Sequence, residues 1–446
     1  MIENVDVVAA FLTAEMDGLV YATPTKSVRK LLNLKDDEVL ELVKGLYGTK
    51  QAARLFWKEK DTLYKANGYK QTAAEPCLYW KEFEGEKGFV TTWVDDDTIF
   101  GSAGMIKHTK EVLKTKYEID ERGEMELLLG MHAEMDPSGD RCWCHLSSQA
   151  YCERMLKKFC PEGVKQRKTP LPPSTRYFKD VGERLDDTLT EKYRSIIGTL
   201  RHLAATTRPD IECAVNMLAS FCREPRDSHL EGGYHILGYI ANTMDYGLLF
   251  RKPGLYGKEK DEEEQIFVTT DSSFGSEEKG RSRSGFMVDI YGNPCIWGSR
   301  KTSTPAQSTT ESELMAGNDG CREAVWAEYI MSEIDVKTEK PWTLLMDSKG
   351  AIKLAKNPVF SGRTKHIEIM YYYARELYEQ GRMSPKYVST SENKADALTK
   401  NLPTVTFQKH RKGMGVYSLS DWRSEITSSE IERRGGALDS SHSHRL

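Results

Sequence analysis

Three consecutive aspartates, Asp95, Asp96 and Asp97, sit inside a strand-forming stretch that runs from Thr91 to Gly101. Thr92, Trp93 and Val94 lead in; Thr98, Ile99 and Phe100 lead out. The pattern predicts a β-hairpin with Asp95 and Asp96 at or beside its tip. Adjacent carboxylates repel, so their charge must be offset. A solvated turn would offset it, since Asp is a common turn former. A divalent cation would offset it more strongly. Asp97 extends the pair and reads as a solvated turn residue. Near the start of the chain, Asp6 interrupts the apolar run from Val5 to Leu12. A charge there is costly unless it is paired, binds a metal, or faces solvent from an edge strand.

The second half carries another carboxylate set. A β-branched and aromatic strand at 266–270 ends in Asp271, and strands at 284–291 and 294–299 follow. Residues 309–332 read as a helix carrying Glu311 and Glu313. A strand at 342–346 ends in Asp347, with a short helix to 356. A helix at 366–380, a strand at 386–389 and a last helix at 393–400 with Asp396 complete the region. Any of these carboxylates alone reads as a helix cap. Four of them on separate elements of a small α/β domain point further, to two divalent cations about 4 Å apart. Such a pair clamps the attacking and leaving oxygens of a phosphodiester.

The elements that must position these groups follow from periodicity. Residues 38–44 read as extended, 52–68 as a helix, 76–80 and 88–94 as strands, and 106–117 as a helix. Segments 126–131 and 142–146 read as a second hairpin. Cys142-Trp143-Cys144-His145 lies in it, and with no second cluster at zinc spacing it reads as strand. Helices follow at 148–159, 193–222 and 228–243, the second broken at Thr207-Arg208-Pro209-Asp210, where Pro209 can open a helix. Between them, 169–189 is a Pro-rich, charged connector. A charged run at 258–265 marks a domain boundary, and 427–446 has a disordered composition. With 446 residues the chain accommodates two or three domains. A net charge of -4 excludes a global basic field, so nucleic-acid binding must come from local patches. No apolar run approaches a membrane span, no signal-peptide pattern opens the chain, and scattered cysteines suit a reducing compartment.

Several segments together resemble a known family. Leu46-Tyr47-Gly48-Thr49-Lys50-Gln51-Ala52-Ala53-Arg54, Trp93-Val94-Asp95-Asp96, Leu129-Gly130-Met131, Thr207-Arg208-Pro209-Asp210 and Thr364-Lys365-His366-Ile367-Glu368 are similar to motifs of copia-type LTR retrotransposon polyproteins, in their reverse transcriptase and ribonuclease H portion. So are Thr310-Glu311-Ser312-Glu313-Leu314-Met315-Ala316 and Ala395-Asp396-Ala397-Leu398-Thr399-Lys400. The resemblance is collinear from about Val5 to about Pro403.

The resemblance implies a multidomain α+β and α/β fold: a polymerase palm with partial fingers (1–146), a mainly helical thumb and connection (147–257), a ribonuclease H-like α/β domain (258–412) and a disordered tail (413–446). A fragment of about 262–412 is then expected to fold and act alone. The implied activities are RNA-directed DNA polymerase and ribonuclease H, both by two-metal phosphoryl transfer. The alternatives are a chain with only the nuclease active, or a non-catalytic nucleic-acid-binding remnant. Asp6, Asp95 and Asp96 match the palm carboxylates, with Trp93 in place of the family's usual aromatic. Phe11 matches the residue that excludes a ribose 2′-OH, and Gln51 one that lines the nucleotide pocket. Asp271, Glu313, Asp347 and Asp396 match the nuclease quartet, with Glu311 the alternative to Glu313. The implied cofactors are two Mg²⁺ or Mn²⁺ ions per site. The implied partners are an RNA template, a DNA primer, an RNA–DNA hybrid and dNTPs, with no membrane, and the location is intracellular, in cytoplasm or nucleus. Five residues precede Asp6 where the family has a long fingers segment, so the portion reads as N-terminally truncated.

Overall fold

The computed structural model describes residues 1–136, 142–252, 265–336, 338, 340–357 and 372–424. The chain divides into two compact units, Met1–Leu129 with Ile330–Val336, and Gly130–Tyr329 with Lys337–Leu446.

The first unit is built on strand β1 (Ile2–Val7), helix α1 (Ala52–Ala66), strands β2 (Lys70–Gln71), β3 (Leu78–Phe83), β4 (Glu86–Trp93) and β5 (Asp96–Phe100), helix α2 (Ala103–Lys114) and strand β6 (Ile119–Glu124). The strands form one sheet in the order β2-β3-β4-β5-β1-β6, each neighbouring pair antiparallel. Side chains alternate across a sheet, so one face can be apolar and the other charged. Val5, Val7, Val90 and Ile99 point into a core completed by Leu55, Phe56 and Tyr64 of α1 and Met105, Ile106 and Leu113 of α2. Asp6 lies between Val5 and Val7 in sequence and therefore faces the other way. The strand at 119–124 was not anticipated from its sequence, because Asp120, Glu121 and Arg122 break any apolar alternation. A short helix at Lys26–Leu32, capped by the Thr25 hydroxyl, and a ribbon of Tyr21–Ala22 with Leu40–Glu41 lie before α1.

The second unit opens with β7 (Met131–Asp136) and β8 (Trp143–Ser147), followed by α3 (Gln149–Phe159), α4 (Asp187–Thr206), α5 (Glu212–Ala219), α6 (Asp227–Ala241) and β9 (Gly247–Arg251). The β7–β8 hairpin pairs onward to β9, and β9 to β15 (Val416–Tyr417). This pairing shifts two expected boundaries. The hairpin belongs with the helical region rather than ending a segment at 146, because β8 needs β9 to satisfy its outer edge. The expected tail from 413 is structured as far as Ser424, since Val416 and Trp422 are buried; the 427–446 segment lies outside the described residues. Trp143, Cys144 and His145 lie in β8, as read, with Cys142 one residue before it, and His145 meets the Tyr417 carbonyl at 3.0 Å.

α4 begins six residues earlier than expected, where the Asp186 carboxylate accepts from the Leu189 N–H. The Thr207-Arg208-Pro209-Asp210 break is a buried polar knot. Arg208 donates to both Asp210 oxygens and to the Thr243 carbonyl, and Tyr239 donates to Asp210 at 2.6 Å. Burial disfavours the Asp210 charge, but Arg208 outweighs it and holds the carboxyl below the usual range.

The remaining sheet comprises β10 (Ile266–Ser273), β11 (Arg283–Ile290), β12 (Asn293–Lys301), β13 (Trp342–Met346) and β14 (Met383–Tyr387), in the order β12-β11-β10-β13-β14. The first three strands are antiparallel, while β13 and β14 run parallel to β10. Helices α7 (Thr309–Glu333), α8 (Lys349–Lys356) and α9 (Tyr372–Glu379) connect them. The motif at 364–368 lies outside the described residues, as does most of the charged run at 258–265. The packing argues against the expected independence of 262–412: Met287, Ala397, Leu398 and Phe407 share one core with Ile196, Leu200, Val215, Ile236 and Leu248. Trp297 of β12 also donates to the Ala204 carbonyl of α4 at 2.9 Å.

Candidate active sites

In the first unit, β4 and β5 are joined by the two residues Val94 and Asp95, with Trp93 opposite Asp96. Tight two-residue hairpins favour positive φ at the turn. Val94 supplies it, with φ 56°, at the cost expected for a β-branched residue. Asp95 is therefore in the turn itself and Asp96 opens β5. Asp96 is also directly across from Asp6 on β1, and the Val7 N–H donates to the Asp95 carbonyl. One carboxylate oxygen from each of Asp6, Asp95 and Asp96 lies within 4.8 Å of the others. Burial raises the Asp6 pKa; Arg122 works against that, and Asp95 and Asp96 add to it.

Asp97 corrects the expectation of a solvated turn residue. It is 1% exposed and faces the core, one position from Asp96 and two from Ile99. Lys60 of α1, also 1% exposed, donates to Asp97 at 2.9 Å, to the Thr92 hydroxyl at 3.0 Å and to the Val94 carbonyl at 2.9 Å. Tyr64, one helical turn on, donates to the other Asp97 oxygen at 2.8 Å. Burial and then the Asp97 charge push the Tyr64 phenol well up, so it remains a donor. Lys60 thus fastens both the strained turn residue and the residue after the aspartate pair. Breaking a buried pair leaves an uncompensated charge and costs about 3–5 kcal/mol. Lys60→Met should lower hydrogen-exchange protection across α1 and β5 by an amount in that range, and Asp97→Leu added to it should restore much of the loss. Unchanged protection in Lys60→Met would show that the turn is held by other means.

Phe11 lies in a 3₁₀ turn (Ala10–Leu12) that follows β1 after the left-handed Ala9, and its ring meets Tyr47 edge-on at 4.7 Å. Gln51 is the residue that opens α1, and its side chain makes no cap hydrogen bond.

In the second unit the other carboxylates converge. Asp271 is within β10 rather than at its end, and Asp347 directly follows β13. β10 and β13 are parallel with Phe267 opposite Thr343, so both carboxylates emerge at the same end of adjacent strands. α7 brings Glu313 to them. It can do so because Gly320 lets the helix lie against β10: a Cβ there would come within 2.6 Å of Val268 and 2.9 Å of Thr270. Oxygens of Asp271, Glu313 and Asp347 lie within 4.8 Å of one another. Glu311 turns elsewhere, accepting from the Gln307 N–H at 2.6 Å.

Asp396 is placed differently from the other three. It lies in a 3₁₀ turn (Lys394–Leu398) packed against β11, where a Cβ on Gly285 would meet Leu398 at 2.9 Å and Thr399 at 2.7 Å. Its carboxylate pairs with Lys400 at 2.6 Å, and the same ammonium reaches Asp271 at 3.3 Å. Thr399 donates to Asp271 as well. Lys400 and Thr399, which in the sequence stand only as the end of the Ala395–Lys400 motif, thus become part of the site. Burial works against the Lys400 charge, but Asp271 and Asp396 outweigh it and hold its pKa up.

Both clusters offer only carboxylate oxygens, the donor set of hard divalent cations. In the second, Glu313 Oε2 is buried without a hydrogen-bond partner. Burial, then the Asp271 and Asp347 charges, push Glu313 up to about 9. An orphaned acceptor among like charges fits a cation, so the residues present match Mg²⁺ or Mn²⁺.

An antiparallel sheet with three carboxylates at and beside a hairpin and a mixed sheet ordered 3-2-1-4-5 with three more have the folds of a reverse transcriptase palm and a ribonuclease H-like domain. The comparisons agree. Residues 1–173 match the family described as reverse transcriptase (RNA-dependent DNA polymerase). The chain is 30% identical over 429 residues to the retrovirus-related Pol polyprotein of transposon TNT 1-94 from Nicotiana tabacum, covering 94% of this chain and 31% of that one. To the Pol polyprotein of transposon RE2 from Arabidopsis thaliana it is 29% identical, covering 94% and 28%. It therefore spans about a third of the length of these relatives. Together, the reverse transcriptase match and the similarity over 94% of the chain support a copia-type retrotransposon Pol polyprotein, in its reverse transcriptase and ribonuclease H portion. Among solved structures, a foamy viral protease-reverse transcriptase in complex with double-stranded DNA is 12% identical with a TM-score of 0.47, covering 87% of this chain and 57% of that one. The ribonuclease H domain of a Mycobacterium tuberculosis protein is 16% identical with a TM-score of 0.24, covering 33% and 96%. The fold assignment rests on strand order and register.

Proposed function

We propose that this chain extends a DNA primer on an RNA template with dNTPs and cleaves the RNA strand of an RNA–DNA hybrid, each reaction at its own carboxylate cluster. The observation that carries the proposal is the pair of separate three-carboxylate clusters, each with oxygens within 4.8 Å. Divalent cations bound by these oxygens supply charge neutralisation at the attacking and leaving oxygens of a phosphoryl transfer. In the palm, Asp6 and Asp96 come from paired strands and Asp95 from the turn between β4 and β5, so the sheet fixes their spacing. Phe11, five residues after Asp6, would meet the sugar of the incoming nucleotide, and Gln51 its surroundings. In the nuclease, Asp271, Glu313 and Asp347 would orient the scissile phosphate, with Asp396 and Lys400 beside them. Lys349, Lys353 and Lys356 of α8 line a groove with Lys386 and Tyr387, a local basic patch suited to hybrid phosphates. Among the described residues no helix is long and apolar enough to cross a membrane, and the cysteines form no disulfide. We place the activity inside the cell, in cytoplasm or nucleus, where RNA template and dNTPs are found.

The test uses the whole chain at low salt. With Mg²⁺ it should extend a labelled primer and separately shorten labelled RNA in a hybrid, and a chelator should stop both. Phe11→Ala should let ribonucleotides compete for incorporation; equal exclusion by the variant would leave Phe11 a packing residue only. A folded chain inert in both assays with Mg²⁺ and with Mn²⁺ would overturn the reading.

A further inference from the structure

The palm cluster has a neighbour that neither the hairpin motif nor the family resemblance assigns. Arg122, on β6, donates to Asp96 at 3.1 Å and pairs with Asp6 at 3.0 Å. Asp120 lies farther out, at 3.9 Å. β6 is the strand beside β1, and Asp6 is opposite Asp120 in their register. The planar guanidinium can therefore lie across the ends of two strands and meet one oxygen from each. Arg122 is the one described cation paired with Asp6 or Asp96. The Asp95 carboxylate makes no hydrogen bond or ion pair among the described residues, so the cluster is bridged on one side and open on the other.

A guanidinium and a divalent ion compete for the same oxygens. The carboxylates that Arg122 satisfies are two of the three that would ligate metal. Their mutual repulsion is also what Arg122 relieves when no metal is present. We propose that Arg122 is an internal counter-cation of the polymerase site, which holds Asp6 and Asp96 in place in the metal-free chain and must withdraw as divalent ions load. It thereby sets the metal concentration the site requires. The inference rests on the proposed metal-dependent polymerase and adds to it a residue that opposes loading. Arg122 is half exposed, so water accepts the released guanidinium and the competition is moderate rather than absolute.

The experiment measures metal binding without turnover. Mn²⁺ titrations followed by the electron paramagnetic resonance of free Mn²⁺ are run in an Asp347→Asn background, which weakens the nuclease cluster. The palm contribution is the part lost on adding Asp95→Asn. Arg122→Gln should tighten that binding by about tenfold, the effect of removing one screened competing charge at this distance. It should also lower the thermal midpoint of the metal-free chain while leaving that of the Mn²⁺-saturated chain near the parent's. Arg122→Lys keeps the charge but cannot bridge both oxygens, so its affinity should fall between the two; it also serves if the glutamine variant fails to fold. Binding equal to or weaker than the parent's in both variants would overturn the inference and make Arg122 a support for the ligands. Absence of Asp95-dependent Mn²⁺ binding in every form, parent included, would overturn the metal reading of the palm together with it.

Discussion

Primer extension by Asp96→Asn should fall by about a thousandfold relative to the parent. The estimate follows from the geometry of the hairpin. Asp96 is directly opposite Asp6 and shares with it and Asp95 a cluster whose oxygens lie within 4.8 Å. Asparagine keeps the shape of the side chain and removes its charge. A ligating carboxylate that supplies about 4 kcal/mol of transition-state stabilisation accounts for a factor of about 10³. The fold should persist, because Asp96 is partly exposed and its only described ion-pair partner is Arg122, itself half exposed. Asp97→Asn provides the contrast. It removes the buried partner of Lys60, so extension and hydrogen-exchange protection should decline together. Asp96→Asn should lower extension alone. Parent-level extension by Asp96→Asn would remove this residue from the site.

That contrast marks how far the chemistry was legible. The strand propensities around the Asp triplet are strong, and a two-residue turn leaves only one place for Asp95. Asp97 was misread because a run of carboxylates suggests solvent. The period of two in β5 puts Asp97 on the face of Ile99, and in α1 Lys60 occupies the stripe of Phe56 and Tyr64. A lysine in an apolar helical stripe and an aspartate on an apolar strand face are each anomalous. Together they are a pair, and that signal was present. Arg122 carried no comparable signal, because its strand is mostly charged and only the register of β1 with β6 brings it to Asp6. The first four nuclease strands and α7 were readable from β-branched runs and length, whereas the fifth, expected at 386–389, runs Met383–Tyr387, its start hidden by Pro385. Gly285 and Gly320, which let the last 3₁₀ turn and α7 approach the sheet, have no meaning until the packing partners are known. The boundaries moved for a related reason. β9 and β15 are short strands of five and two residues that pair only through long-range contacts.

Hybrid cleavage by Asp347→Asn should likewise drop by about a thousandfold or more. Asp347 is at the end of β13, level with Asp271 on the parallel strand, so each reaches the same point from a rigid element. Glu313→Gln should match that loss. Glu311→Gln should not, because Glu311 accepts from the Gln307 N–H at the start of α7 rather than joining the cluster. The pH dependence separates a ligand from a bystander. Burial first, then Asp271 and Asp347, push Glu313 up from 4.5 to about 9, so in the metal-free chain it carries a proton at neutral pH. The folded chain then binds more protons here than the unfolded chain, and this contribution to stability is lost as pH rises from the ordinary glutamate value through about 9. Metal binding needs the carboxylate, so apparent Mn²⁺ affinity at this cluster should rise by about tenfold per pH unit across the same window. Glu313→Gln should weaken both dependences, leaving the part that comes from Asp271, whose pKa burial also raises. The protein to use is the whole chain or residues 130–424, because Met287, Leu398 and Phe407 share their core with α4, α5 and α6. A fragment of 262–412 should unfold at much lower denaturant, having exposed that core. Cleavage by Asp347→Asn at the parent's rate, or Mn²⁺ affinity independent of pH in the parent, would take these residues out of the nuclease site.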